Sequence, residues 1–164
     1  SARYPTADPG SFTVSTLFDP STRHALEGRI NALQPDSVRH WGRMSPHQTM
    51  YHVSDGFRMA LGERMPRPRL TVMSPLLRFV AVSMPLRWPH GVKTMPEVEQ
   101  GVGGTPPVEF DRDRRELLAL IDGFCDCSGQ QQWPDHPMFG SMHLSHWGRW
   151  GYRHLDHHLR QFGV

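Results

Sequence analysis

The sequence lacks the features that mark several classes of protein. It has only two cysteines, Cys125 and Cys127, which are too close along the chain to form an ordinary disulfide in a helix or strand. No apolar run approaches the roughly 20 residues that a membrane-spanning helix needs. The net charge is only +2 and the basic residues are scattered, which is not typical of nucleic-acid binding. These absences predict a reduced, cytoplasmic protein that has neither a nucleic-acid nor a membrane partner.

The motifs of several common enzyme families are also missing. There is no G-x-S-x-G nucleophile motif, no phosphate-binding Walker loop and no H-E-x-x-H zinc motif. The N-terminus shows no basic segment followed by an apolar run, so we expect no secretory signal there. A chain of 164 residues is long enough for one domain with a single core. We therefore predict one domain over residues 19–164, preceded by an irregular arm over residues 1–18.

Helix start and stop signals predict an all-α domain. Asp19-Pro20 and Ser45-Pro46 each combine a capping side chain with a proline in the first helical position. Asp111 is predicted to cap a third long helix, and a terminal helix is predicted from Leu144 to Phe162. A short amphipathic helix is expected over residues 76–86. Four long helices with long connections predict a four-helix bundle with crossover loops.

Histidine is the anomalous residue type, with 11 in the chain, and metal ligation is the leading reason for such a number. His154 and His158 are one turn apart on the terminal helix. A helical projection places both in or beside the apolar stripe that contains Trp147 and Leu155. Buried imidazoles need partners, so this pair is interpreted either as metal ligands or as a hydrogen-bonded core pair.

A metal site would take a third ligand from another helix, since catalytic zinc sites usually have three protein ligands. His47 and His52 on the second helix are about 140° apart, so they cannot both face one point. Neither lies in the apolar stripe of that helix. We favour His52, because it is in mid-helix with Gln48 and Asp55 one turn to either side.

Four further residues are candidates for orienting the ligands or the substrate. Gln48 and Asp55 flank His52, and ligating histidines normally have their second nitrogen held by another group. Gly151 is predicted to leave space above the two imidazoles of the terminal helix. His136 could reach the site from its loop, although a structural hydrogen bond is the favoured interpretation of this residue.

Two blocks of the sequence resemble the DinB/YfiT-like metalloenzyme superfamily, in a branch whose members have no assigned function. The first block runs from Trp41-Gly-x-Met44 through His52 to Glu63. The second runs from His136-Pro-x-Phe-Gly140 to the terminal motif H-L-x-H-H-L-R-Q-F, which ends at Phe162. The resemblance covers residues 20–164, and the terminal motif is its most specific part.

The resemblance implies a four-helix bundle that binds zinc or nickel through His52, His154 and His158. It also implies an enzyme similar to thiol S-transferases, which would act on a small electrophilic substrate with a low-molecular-weight thiol as co-substrate. The nucleophile would be a metal-bound thiolate or hydroxide. The alternatives are a metal-dependent hydrolase and a non-catalytic, metal-stabilised binding or scaffold protein. Homodimers are common in the superfamily, and residues 76–86 are the expected contact surface.

Overall fold

The computed structural model describes residues 14–130 and 132–164, and these residues form helices and no strand. The prediction of an all-α protein is confirmed for this part of the chain. A single β-bridge, between His136 and Gly140, is the one element of β pairing in the described ranges. The five α-helices are α1 (Pro20–Ala32), α2 (Pro46–Ala60), α3 (Ser74–Arg78), α4 (Phe110–Asp126) and α5 (Leu144–Leu159).

Shorter helical turns extend or follow three of these helices. A π-helical turn continues α3 over Phe79–Ser83, and 3-10 turns follow α4 at Cys127–Gly129 and α5 at Arg160–Phe162. The predicted helix over residues 76–86 therefore begins earlier, at Ser74, and ends at Ser83. None of the helices in the described residues is long and apolar enough to cross a membrane.

The first two helices begin where the sequence predicts. The Asp19 carboxylate accepts a hydrogen bond from the Thr22 N–H at the start of α1. At the start of α2 the Ser45 hydroxyl accepts from the Gln48 N–H, and the Gln48 side-chain oxygen accepts from the Ser45 N–H. This reciprocal pair is a capping box, which satisfies backbone donors that have no partner within the helix. Both starts are therefore confirmed.

The prediction that Asp111 caps α4 is wrong. The helix begins at Phe110, and its cap is Glu109, whose carboxylate accepts from the N–H groups of Asp111 and Arg112. Asp111 lies in the first turn instead, where its charge interacts favourably with the positive end of the helix dipole. Aspartate is a much more common cap than glutamate, so the local pattern favoured the wrong acidic residue.

The four longer helices pack around one hydrophobic core. Helix α1 contacts α4 and α5, and α2 also contacts α4 and α5. The side chains that fill the core are almost fully buried, and they include Ile30, Phe57, Ile121, Phe124, Trp147 and Leu155. The contact between α2 and α5 is the one that positions the predicted site, because it brings the helix of His52 against the helix of His154 and His158.

The arm predicted over residues 1–18 is described only in its last part, and residues 1–13 lie outside the described ranges. Residues 14–18 are irregular, as predicted, but they are packed against the helices. Leu17 is fully buried, and its N–H donates to the Gly148 carbonyl oxygen of α5. The Phe18 ring stacks on that of Phe124 at 5.3 Å. This part of the chain therefore contributes to the core.

Candidate metal site

Three buried histidines converge between α2 and α5. One ring nitrogen from each of His52, His154 and His158 lies within 4.8 Å of the others, and the Nε2 atoms of His52 and His154 are 3.3 Å apart. Each side chain is only 7–8% exposed. Two nitrogens bound tetrahedrally to zinc at 2.0–2.1 Å would be separated by about 3.3–3.4 Å. The donor set and its spacing therefore fit a shared divalent cation.

Two of the three rings are held by hydrogen bonds on their other nitrogen. The Nδ1 of His52 lies 3.1 Å from the Val98 carbonyl oxygen, and the Nδ1 of His158 lies 2.8 Å from Oε1 of Gln161. These oxygens can only accept, so each Nδ1 carries the hydrogen. In a neutral imidazole this assignment leaves the lone pair on Nε2, which is the nitrogen available to bind a cation.

The third ring, that of His154, packs against a glycine of the facing helix. A Cβ atom added at Gly56 would lie 2.6 Å from Cε1 and 3.0 Å from Nδ1 of His154. Within the described residues, that buried Nδ1 has no hydrogen-bond partner. Gly56 therefore provides the space that His154 needs. The sequence interpretation missed this residue, although its position one turn after His52, inside a helix, was an available signal.

Most of the chain matches a described protein family. A family model described as "Protein of unknown function (DUF1569)" matches residues 24–163. The chain belongs to the DUF1569 family. The match includes all three converging histidines and both helices that carry them. No functionally curated protein and no solved structure matches the chain.

The other histidine of α2 is engaged elsewhere in this DUF1569 protein. His47 lies with its Nε2 2.5 Å from Oδ2 of Asp113 on α4. The Tyr51 hydroxyl donates to the second oxygen of the same carboxylate. The structure thus brings His52, and not His47, to the histidine pair of α5.

The prediction that Gly151 leaves space above the imidazoles is wrong. A Cβ atom at Gly151 would lie 3.0 Å from Cδ2 of Leu17 and 3.2 Å from Cε1 of Phe124. Gly151 therefore faces the hydrophobic core. Its helical position was correctly assigned to the inward side, but the packing of the arm against that side was not visible in the sequence.

Gln48 and His136 both form hydrogen bonds with groups other than the three histidines. The side-chain oxygen of Gln48 accepts from Ser45 in the capping box, as described above. The Nδ1 of His136 accepts hydrogen bonds from the N–H groups of Met138 and Phe139 within its own loop. This geometry matches the structural interpretation of His136, and the DUF1569 chain uses neither residue to hold a ligand ring.

Asp55 is connected to the histidine site only indirectly, through Arg64 and the loop segment of Glu97 and Val98. It is fully buried and accepts from Thr105, and from the guanidinium groups of Arg58 and Arg64. Arg64 also donates to the Glu97 carbonyl oxygen, at the residue before Val98. Asp55 therefore helps to anchor the loop in which the Val98 carbonyl oxygen accepts from His52. It does not contact any of the three histidine rings itself.

Burial determines the charge state of the three rings. It lowers the pKa of His52, and it lowers the pKa of His154 and His158 well below the ordinary value. The neighbouring histidines lower the pKa values of His154 and His158 further, because two positive charges at this distance would repel each other. A protonated imidazolium is costly in a low-dielectric site, so all three imidazoles are neutral at pH 7. The neutral imidazole is the form that binds metals.

Two tryptophan side chains pack beside His154, one of the three histidines of the DUF1569 site. The Trp150 ring lies 5.0 Å from that of His154, and the Trp88 ring lies 6.1 Å from it. A cavity of about 390 Å³ is lined by Trp88 and His157 among others, but by none of the three histidines. Trp88 thus borders both the cavity and the site.

Proposed function

We propose that this protein binds a divalent cation, zinc or nickel, through His52, His154 and His158 and is a metal-dependent enzyme. The observation that carries the proposal is the convergence of three buried, neutral imidazoles, one nitrogen each, within 4.8 Å. When bound, such an ion supplies a Lewis acid that lowers the pKa of a thiol or a water molecule. The proposed reaction is transfer of a low-molecular-weight thiol to a small electrophile.

The protein's own groups would orient the ligands and keep the site dry. The Val98 carbonyl and the Gln161 carboxamide hold two of the imidazoles in one tautomer and one orientation. Removing a group that hydrogen-bonds to a metal-binding histidine typically lowers the metal affinity about 10–100-fold. Trp88 and Trp150 cover the His154 ring with apolar surface, and charge interactions are stronger in such an environment than in water.

A hydrogen-bonded histidine cluster without metal is the main structural alternative. The 3.3 Å between the Nε2 atoms of His154 and His52 also suits an N–H···N bond. However, both His52 and His158 have Nδ1 as their donor and therefore a lone pair on Nε2. One hydrogen on His154 can satisfy only one of these lone pairs, whereas a cation binds both. This count of donors and acceptors favours the metal.

We also propose a DinB/YfiT-like four-helix bundle with crossover loops. The support comes from the contacts, in which each of α1 and α2 packs against both α4 and α5. Further support comes from the long connection between α2 and α4, and from histidine ligands that project from facing helices, as in other metal-binding bundles. A solved structure of any DUF1569 member would test this assignment.

Elemental analysis of untagged protein, purified without added metal, tests the metal site. We expect one zinc or nickel ion per chain, and we expect His52→Ala and His158→Ala to reduce the metal content to background. His24→Gln and His143→Gln, at exposed positions, are the matched controls and should leave it unchanged. Stoichiometric metal in both alanine variants would refute the three-histidine assignment.

Thiol transfer requires its own assay. The metal-loaded protein is mixed with bacillithiol, mycothiol or glutathione and an electrophile such as monobromobimane, and conjugation is compared with that of chelator-treated protein. We expect acceleration with at least one thiol, and loss of that acceleration in His154→Ala. If metal is bound but no thiol is accelerated, the hydrolase and the non-catalytic binding protein become the better interpretations.

A further inference from the structure

The segment formed by α3 and its π-helical turn, residues 74–83, directs its apolar side chains outward. The positions that face inward are four residues apart: Ser74 is buried, Arg78 is half-buried and Val82 is fully buried. The exposed side chains between them are Leu76, Leu77, Phe79 and Val80, and that of Phe79 is 56% exposed. A surface helix normally buries its apolar stripe, so this segment has the opposite arrangement.

Exposed apolar residues are concentrated around this segment. Ten of the large hydrophobic residues that are exposed in the described ranges fall within residues 65–92, and only Val38, Val102 and Val108 lie elsewhere. Val72, just before α3, is 96% exposed. Single exposed apolar residues are normal on a protein surface, whereas contiguous exposed apolar patches mark interaction sites. The ten residues are Met65, Leu70, Val72, Met73, Leu76, Leu77, Phe79, Val80, Leu86 and Val92.

The same stretch of chain has charge of one sign. From Arg64 to Pro96 there are six arginine and lysine residues and no aspartate or glutamate. The rest of the chain holds the other 12 basic residues and all 16 acidic ones. Arg67, Arg87 and Lys93 are exposed and form no ion pair within the described part of the chain. Their charges are therefore available to a partner.

Polar contacts fix this surface to the body of the protein. Within the stretch itself, Trp88 donates through Nε1 to the Ala81 carbonyl oxygen at 2.7 Å. Arg153 of α5 donates to the Met84 carbonyl oxygen, and Arg78 donates to the Ser141 carbonyl oxygen. With Val82 buried as well, the segment is held with its apolar side chains projecting away from the core.

The charge decides which kind of partner fits. Glu97 lies beside Arg69 at the edge of this stretch, but the exposed Arg67, Arg87 and Lys93 leave it with a net positive charge. A symmetric contact with a second copy would place one predominantly basic face against another, and the like charges would repel. A protein partner would need an acidic rim and a hollow for each projecting side chain. An anionic bilayer supplies negative charge over a wide area, and its interface accepts projecting apolar side chains without a matching shape.

We propose that residues 65–93 form a surface that binds peripherally to an anionic lipid bilayer. The exposed leucine, valine and phenylalanine side chains enter the boundary between headgroups and acyl chains, and Arg67, Arg87 and Lys93 pair with lipid phosphates. This proposal departs from the sequence-based expectation of no membrane partner, which depended on the lack of a spanning apolar run.

Vesicle co-sedimentation of the whole protein tests the proposal. We expect binding to vesicles that contain phosphatidylglycerol and at least tenfold weaker binding to pure phosphatidylcholine vesicles, with a marked loss at about 0.5 M salt. The double variant L76S/F79S and the charge-reversal variant R67E/K93E should each bind about tenfold more weakly than the wild type. Circular dichroism and thermal unfolding establish that the variants are folded.

Matched substitutions outside the surface complete the design. V38S/V108S removes two exposed apolar side chains elsewhere, and R112E/R115E reverses two exposed charges on α4. Both should bind vesicles as the wild type does. Equal binding to neutral and anionic vesicles, or wild-type binding by L76S/F79S, would overturn the proposal. So would an oligomer that L76S/F79S dissociates while no vesicle binding is found, because that result would identify a second copy as the occupant.

Discussion

The imidazole of His154 occupies the space that a side chain at Gly56 would fill, with Cε1 only 2.6 Å from the position of a Cβ atom. Gly56 lies in the middle of α2, where glycine costs about 1 kcal/mol of helix stability relative to alanine. This position is where α2 and α5 approach each other beside the three converging histidines. The glycine is thus explained by the close approach of a ring from α5, and not by a turn.

The substitution Gly56→Ala should displace His154 and weaken metal binding. We expect at least tenfold lower zinc affinity and a loss of about 1–3 kcal/mol in the free energy of unfolding, because the added methyl group overpacks the contact. Competition with a chelator measures the affinity, and urea unfolding measures the stability. Gly28→Ala in α1, where nothing lies within 4 Å, is the control and should add about 0.5–1 kcal/mol of stability. Zinc affinity in Gly56→Ala equal to that of the wild type would contradict the proposed role.

Substitutions at Gln161 test whether its hydrogen bond to His158, and not merely its packing, contributes to metal affinity. Gln161→Leu removes the oxygen that accepts from Nδ1, so we expect a 10–100-fold decrease in metal affinity. Gln161→Glu keeps an acceptor at this position and should retain most of the affinity. Isothermal titration with zinc compares the two variants, and Gln34→Leu at an exposed site is the control. If the leucine and glutamate variants bind zinc equally well, the hydrogen bond does not orient the ligand.

The variant Asp55→Asn should lose stability but keep its metal ligands. The wild-type carboxylate is fully buried and accepts from two guanidinium groups, so its neutralisation removes the buried negative charge that both arginines face. We expect a decrease of about 3 kcal/mol in the free energy of unfolding. At saturating zinc the stoichiometry should remain one ion per chain. Exposed Asp36→Asn is the control, and complete loss of metal without loss of stability would show that Asp55 acts on the ligands directly.

Protonation of His136 should contribute to acid unfolding. Burial lowers its pKa from 6.5 to about 3, so the unfolded state takes up a proton between these values and the folded state does not. The stabilising contribution is complete above pH 6.5 and decreases by up to about 1.4 kcal/mol per pH unit as the pH falls towards 3. In metal-free protein, His136→Asn keeps an acceptor for the Met138 N–H but does not titrate. Its unfolding free energy should therefore depend less steeply on pH, by up to one proton, and an unchanged slope would contradict the prediction.

The exposed apolar surface shows where sequence patterns fail. The sequence predicts a short amphipathic helix over residues 76–86, and a helix of this kind normally buries its apolar side. The structure instead buries Ser74 and Val82 and exposes Leu76 and Phe79. Periodicity indicates which residues share a face, but it does not indicate which face meets the core.

Local sequence patterns alone predict the helix starts at Pro20 and Pro46 and the common face of His154 and His158, because capping and helical periodicity involve residues only a few positions apart. Tertiary packing brings His52 to this pair, places the Val98 carbonyl against His52, and lets Gly56 admit the His154 ring. The partners in these contacts are from 46 residues (His52 and Val98) to 106 residues (His52 and His158) apart along the chain. Their meeting depends on how α2, α5 and the intervening loop pack against one another, which no local pattern encodes.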